Sequence, residues 1–143
     1  MIIDTHSHIV DEKITKTPND VVETFFSKGG DLFFAISTNI EDCKQVIETS
    51  KQYERVIPLV GIHPHFAKDM DDSKFIKLEE YMQQAKGIGE IGLDYYYEFS
   101  DKQKQKEAFI KQLELAKKYN WKTVNCVSEN QIRTIENIHE EIF

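Results

Sequence analysis

Several common roles are closed to this chain by what it lacks. Its 143 residues hold two cysteines, Cys43 and Cys126. They lie far apart and outside any close-spaced metal pattern, so neither a disulfide framework nor a zinc knuckle is expected. Both read as small buried hydrophobes. No apolar run approaches the ~20 residues of a membrane span, and no charged leader with an apolar centre precedes the first strand. The expectation is a soluble, cytoplasmic protein with no membrane partner. Basic residues are in the minority: 18 Lys and Arg stand against 25 Asp and Glu, a net charge of −7. That balance argues against a broad phosphate-binding surface that works by counterion release. It still allows a polyanion held locally through metal cations, whose charge inverts the sign of a site. Low-complexity tracts, Pro/Ser linkers and abrupt changes of composition are also absent, so residues 1–143 read as one domain.

Short apolar runs alternate with amphipathic stretches. The strand candidates are "IIDTHSHI" at the start, "LFFAIST" from Leu32, "VIPLVGI" from Val56, "GIGEIGLDY" from Gly87 and "KTVNCVS" from Lys122. Between them, Asp20 with Glu23 reads as a capping box ahead of Val22, Phe25 and Phe26, with Gly29 and Gly30 as the stop. Residues Ile40 to Tyr53 carry Cys43, Val46 and Ile47 at helical spacing, and a third helix after Asp72 and Ser73 would use Ile76, Met82 and Ala85. Ser100 and Gln103 would cap a fourth helix with a buried stripe of Phe109, Leu113 and Ala116. A fifth amphipathic segment repeats isoleucine at Ile132, Ile135, Ile138 and Ile142. Near-continuous apolar strands alternating with helices at this repeat length predict an α/β chain, a parallel sheet covered by helices.

The unusual polar residues fall at strand ends, where parallel α/β folds place their ligands. Strand alternation puts Asp4, His6 and His8 on one face of the first strand. "GIHPH" ends the third strand and "EIGLDYYY" the fourth. Glu90 is a carboxylate inside an apolar strand, which needs a cation or strong hydrogen bonds to stay charged. Imidazole and carboxylate together suit zinc, manganese or magnesium, so His6, His8 and Glu90 are the candidate metal ligands. His63 is a candidate catalytic group. His65, Asp94 and Tyr95 are candidate substrate contacts, although Pro64 could shape a turn that leaves the histidines exposed, Asp94 could cap a loop, and Tyr95 to Tyr97 could be ordinary packing.

The motifs "IIDTHSHI", "GIHPH", "EIGLDYYY" and "KQKEAFIKQLELAKKYN", in this order and spacing, resemble the TatD-related metal-dependent deoxyribonucleases of the amidohydrolase superfamily, from Met1 to about Asn120. The resemblance implies a TIM barrel with one or two divalent ions that hydrolyses phosphodiester bonds of DNA. It also implies that His6 and His8 ligate one metal, that Glu90 bridges to a second and acts in catalysis, and that His63 lies near the scissile phosphate.

Two departures stand against it. The family's fifth strand ends in a histidine followed two residues later by arginine, whereas anchoring on "TVN" puts Val127 and Glu129 at those places. His139 falls in the following helix and is not expected to substitute. A (β/α)8 barrel runs to ~250 residues, and this sequence spans about the first four to five strand-helix units. The expected fold is therefore a partial TIM barrel, either truncated or completed by a second copy or another chain along exposed sheet edges. The competing reading of function is a degenerate, non-catalytic relative that binds a metal or a partner.

Overall fold

The computed structural model describes residues 1–11, 13–121, 124–129, 137–138 and 140–142, with the backbone alone over 124–129. Five strands alternate with helices: β1 (Ile3–Ser7), α1 (Pro18–Ser27), β2 (Leu32–Ile36), α2 (Ile40–Ser50), β3 (Val56–Val60), α3 (Asp72–Met82), β4 (Gly87–Asp94), α4 (Lys102–Lys118) and β5 (Val124–Glu129), with a 3-10 turn over Pro64–Asp69. All five strands are parallel and lie in the order β1-β2-β3-β4-β5. This is the parallel sheet with intervening helices that the strand-helix repeat predicts, curled into the partial (β/α) barrel that the resemblance implies. Among the described residues, no helix is long and apolar enough to cross a membrane.

The helices start where side chains satisfy their free N–H groups, and three times that is not where the sequence pattern suggested; α3 is capped by Asp71, ahead of the expected Asp72 and Ser73, and ends before Ala85. The box that caps α1 is Thr17 with Asp20: the Thr17 hydroxyl accepts from the Asp20 N–H and the Asp20 carboxylate from the Thr17 N–H, both at 3.2 Å. Pro18 fixes this start, because its preset φ suits the first helical position and it has no N–H to satisfy. Glu23 serves elsewhere, accepting the Tyr53 hydroxyl at 2.7 Å. Gly29 ends the helix in a left-handed conformation, φ +91°, as the stop signal predicts. Asp101, not Ser100 with Gln103, caps α4 by accepting the Lys104 N–H at 2.9 Å. Ser100 turns inward instead, donating to the His65 carbonyl and accepting the Lys68 N–H.

Helix α3 also presents a different face from the one expected. Ile76 is 63% exposed, while Leu78 and Met82 are fully buried and Phe75 packs beside them. Six residues separate Ile76 from Met82, about 240° around a helix, whereas positions 75, 78 and 82 share one side. The other stripes hold: Cys43, Val46 and Ile47 on α2 and Phe109, Leu113 and Ala116 on α4 are all buried. Ile138 is buried too. Ile132, Ile135 and His139 lie outside the described residues, as do the side chains of Cys126, Val127 and Glu129.

The sheet is strongly curled at its carboxyl end, and two small residues permit it. Every residue of β4 is buried. Its pairing with β3 covers only Leu59 with Gly87 and Val60 with Ile88, after which the Glu90 N–H reaches past β3 to the Ser37 carbonyl, just beyond β2, at 2.8 Å. Gly61 lies in the gap, where a Cβ would come within 2.8 Å of Ile91 Cγ2 and 2.9 Å of the Gly89 carbonyl carbon. The buried Ser37 hydroxyl replaces the backbone pairing lost there, accepting the Gly61 N–H at 2.9 Å and donating to the Gly61 carbonyl at 3.0 Å. On the outer layer Gln112 of α4 acts in the same way on Ile62, accepting its N–H at 2.7 Å and donating to its carbonyl at 3.2 Å.

Gly61→Ala is expected to lower stability by about 1–3 kcal/mol through overpacking, seen as a lower urea midpoint by circular dichroism. Gln112→Leu leaves the buried Ile62 amide and carbonyl unpaired, so a loss of at least about 2 kcal/mol is expected; an unchanged midpoint would show that this amide clamp carries no energy.

Candidate metal centre and active site

The first cluster joins the two ends of the curl. His6 and His8 come from the end of β1 and Glu90 from the middle of β4. Strands about 4.8 Å apart would hold β1 and β4 about 14 Å apart in a flat sheet. Here Glu90 Oε2 lies 3.3 Å from His8 Nε2 and 3.6 Å from His6 Nε2, and the two Nε2 atoms are 3.1 Å apart. One donor atom from each of the three residues falls within 4.8 Å of the others, a group able to hold a metal ion. Donors placed 2.0–2.2 Å from a common tetrahedral centre stand about 3.3–3.6 Å from one another, close to these separations.

The surroundings suit that use. His8 Nδ1 is 3.2 Å from the Ile36 carbonyl. Donation there leaves the Nε2 lone pair facing the cluster, as in many histidine ligands. The hydrogen bond to Glu90 raises the His8 pKa, against the opposing effect of burial. Burial alone would raise that of Glu90, but the His8 hydrogen bond and the fields of His63, His6 and His8 outweigh it and hold the carboxyl below its ordinary range. Glu90 thus keeps its negative charge and favours a positive charge beside it. Asp4 stands apart: its Oδ1 accepts the His6 N–H at 3.1 Å. The register of β1 against β2 slips between Asp4 and Ser7, and such an irregularity breaks the strict alternation that would have put Asp4 beside the imidazoles.

The second cluster follows β3 and β4. His63 caps the 3-10 turn begun by Pro64, its Nδ1 accepting the His65 N–H at 3.2 Å. Burial pushes its imidazole down to about 4, so it is neutral at pH 7, and with Nδ1 accepting, the proton sits on Nε2. The rings of His63 and His65 are 4.3 Å apart, edge to face. His65 Nε2 meets Asp94 Oδ2 at 2.5 Å, and Asp94 Oδ1 also accepts the N–H groups of Tyr96 and Tyr97. The carboxylate therefore caps its loop and grips His65 at once. Burial opposes its charge, yet these hydrogen bonds keep its pKa below the usual value. Tyr95 does not join the cluster. It packs against the core with Lys102 Nζ 5.4 Å from its ring, while Tyr97 and Phe99 flank His65.

Ser37, Gln105 and Gln112 escaped the sequence reading, although they hold both clusters in place. Gln105 accepts the Asp94 N–H and donates to the Asp94 and Ser100 carbonyls, all at 2.8 Å. Gln105 and Gln112 are seven residues apart, in register with the apolar stripe of α4 and fully buried. An amide at a core position of an otherwise lysine-rich helix was the available signal.

Residues 3–126 match the family model described as TatD related DNase. The uncharacterized metal-dependent hydrolase YabD of Bacillus subtilis is 30% identical over 122 residues, covering 84% of this chain and 48% of that protein. The 3'-5' ssDNA/RNA exonuclease TatD of Escherichia coli is 27% identical over 121 residues, covering 83% and 46%. Among solved structures, a TatD family hydrolase from Entamoeba histolytica superposes with a TM-score of 0.83 at 21% identity, covering 99% of this chain and 54% of that one, a likeness of fold. The chain spans about half the length of the curated relatives it matches. With a family match that runs from β1 into β5 and takes in both clusters, the chain belongs to the TatD related DNase family.

Proposed function

We propose that this chain carries the β1–β4 portion of the active site of a metal-dependent hydrolase that cleaves phosphodiester bonds of DNA. The observation behind this reading is the convergence of His6, His8 and Glu90 from opposite ends of the curled sheet onto one point. The donor set, two imidazoles and one carboxylate, fits a divalent ion such as zinc, manganese or magnesium. A cation held there supplies Lewis acidity and makes a nearby water more acidic. The remaining roles belong to the protein. Glu90 provides negative charge where a cation must be balanced. His63, neutral and protonated on Nε2, is suited to donate a hydrogen bond to a phosphoryl oxygen rather than to deliver a proton as an imidazolium. Asp94 holds His65 in one orientation at the same mouth, where the pair is placed to contact substrate. The names of the family and of the Escherichia coli relative agree with a nucleic acid substrate.

Purified protein is expected to bind about one divalent ion per chain, and His6→Ala to weaken that binding at least tenfold, both read by titration with metal analysis. Cleavage of a labelled single-stranded oligonucleotide with added magnesium, manganese or zinc should fall more than 100-fold in Glu90→Gln. Metal binding without cleavage would select the non-catalytic alternative, which the valine aligned at the family's fifth-strand histidine favours.

The depressed His63 pKa also fixes a pH dependence. The unfolded chain takes up a proton at this residue below its ordinary value of 6.5, and the folded chain only near 4. The stability gained from keeping it neutral is therefore present above pH 6.5 and is lost as pH falls from 6.5 towards 4. Thermal melts over that range should show a smaller acid loss in His63→Asn than in the wild type.

A further inference from the structure

The loop after β4 exposes more aromatic surface than folding requires. Tyr96, Tyr97 and Phe99 are 72%, 59% and 56% exposed, and with Met1, Ile2 and Ile76 they are the most open large apolar side chains among the described residues. Two of these rings are ordered relative to each other: those of Tyr97 and Phe99 lie parallel within 3°, with centroids 5.8 Å apart. His65 stands edge-on to both, at 5.9 and 4.7 Å.

The loop that carries them is tied down at several points. Asp94 accepts the Tyr96 and Tyr97 N–H groups, Ser100 donates to the His65 carbonyl, and Gln105 donates to the Ser100 carbonyl. The backbone that presents the rings therefore has little entropy left to lose on binding. A line of rings runs from Tyr97 and Phe99 through His65 to His63, which in turn feels the charges of Glu90 and His8. The aromatic pair thus extends from the same mouth as the three-ligand cluster.

We propose that Tyr97 and Phe99 form a stacking platform for an unpaired nucleobase of a DNA or RNA strand, the base belonging to a nucleotide next to the phosphodiester at His63. This rests on the reading that the mouth accepts a phosphodiester, and it adds the part of the substrate that is recognised. Charge supports the choice. A chain of net charge −7 is poorly suited to tracking a phosphate backbone by overall charge, so affinity for a strand draws on other contacts. Aromatic faces supply it without regard to sequence, because every base has a π-face. Only an unstacked base can offer that face, so the platform selects single strands and frayed ends over intact duplex.

Binding can be measured apart from cleavage by following the anisotropy of a labelled single-stranded oligonucleotide with chelator present. Tyr97→Ala and Phe99→Ala should each weaken it by about 5- to 100-fold, while Tyr97→Phe keeps wild-type affinity and circular dichroism shows all three variants folded. An otherwise identical oligonucleotide with abasic sites should bind the wild type as poorly as the intact strand binds the alanine variants, and affinity should fall only shallowly with salt. No detectable binding, equal affinity for intact and abasic strands, or alanine variants that bind like the wild type would each overturn the platform. Cleavage with divalent ion present is scored separately. A protein that binds bases but does not cleave keeps the platform and refutes the hydrolase reading; one that cleaves with base-independent affinity does the reverse.

Discussion

A carboxylate in the middle of a wholly buried strand is the constraint around which this molecule is arranged. Glu90 has water on almost no side, and leaving such a group charged without partners is costly. The partners are not sequence neighbours or strand neighbours. They are imidazoles from β1, three strands away in the sheet, and the sheet must bend until side chains from its first and fourth strands meet. Gly61 removes the side chain that would prop β4 away, and Ser37 supplies the hydrogen bonds that β3 gives up when β4 swings across it. The curl and the charge are one problem: the bend exists where the acid needs company, and the acid can be tolerated because the bend brings it.

The acidic balance of the chain bears on how such a site would meet a polyanion, the substrate proposed above. General electrostatic attraction over the whole surface is unavailable, so recognition has to be local. Two local sources lie at the same mouth: the donor cluster, which concentrates positive charge when a cation is bound, and the aromatic rings beyond His65. Asp94 supports the second by holding the histidine and the loop backbone with the same carboxylate, so that its charge is engaged within the protein.

Much of this was legible in the sequence because period and position carry it. Apolar runs of the right length named all five strands, and polar residues at strand ends named His6, His8, His63, His65, Glu90 and Asp94 as a set. Convergence was harder to read: a strand pattern places His6 and His8 on one face, but only the curl, which no periodicity encodes, brings Glu90 to them. Where the reading failed, a local rule was overridden. Asp4 left the group because a register slip in β1 breaks alternation. Ser100 looked like a cap, but Asp101 one residue later could fill that role and freed the serine to tie two loops together. Sequence also does not say which aromatics of a strand exit turn to the core, as Tyr95 does, and which stand beside His65, as Tyr97 and Phe99 do. Gln105 and Gln112 went unread, since their one trace in the sequence is an amide in register with the apolar stripe of α4.

One property follows from the way β1 and β4 meet. The backbone from residue 8 to residue 90 is a single long circuit whose two ends are brought together by three side chains, and the entropy lost in closing such a circuit grows only with the logarithm of its length. An ion gripped by those side chains would work as a reversible rivet across more than half of the chain, binding the folded form alone and stabilising it by mass action. Resistance to heat would then track the supply of divalent ions around the protein, and the first strand, whose outer edge has no described neighbour, would be the part to loosen when that supply is withdrawn.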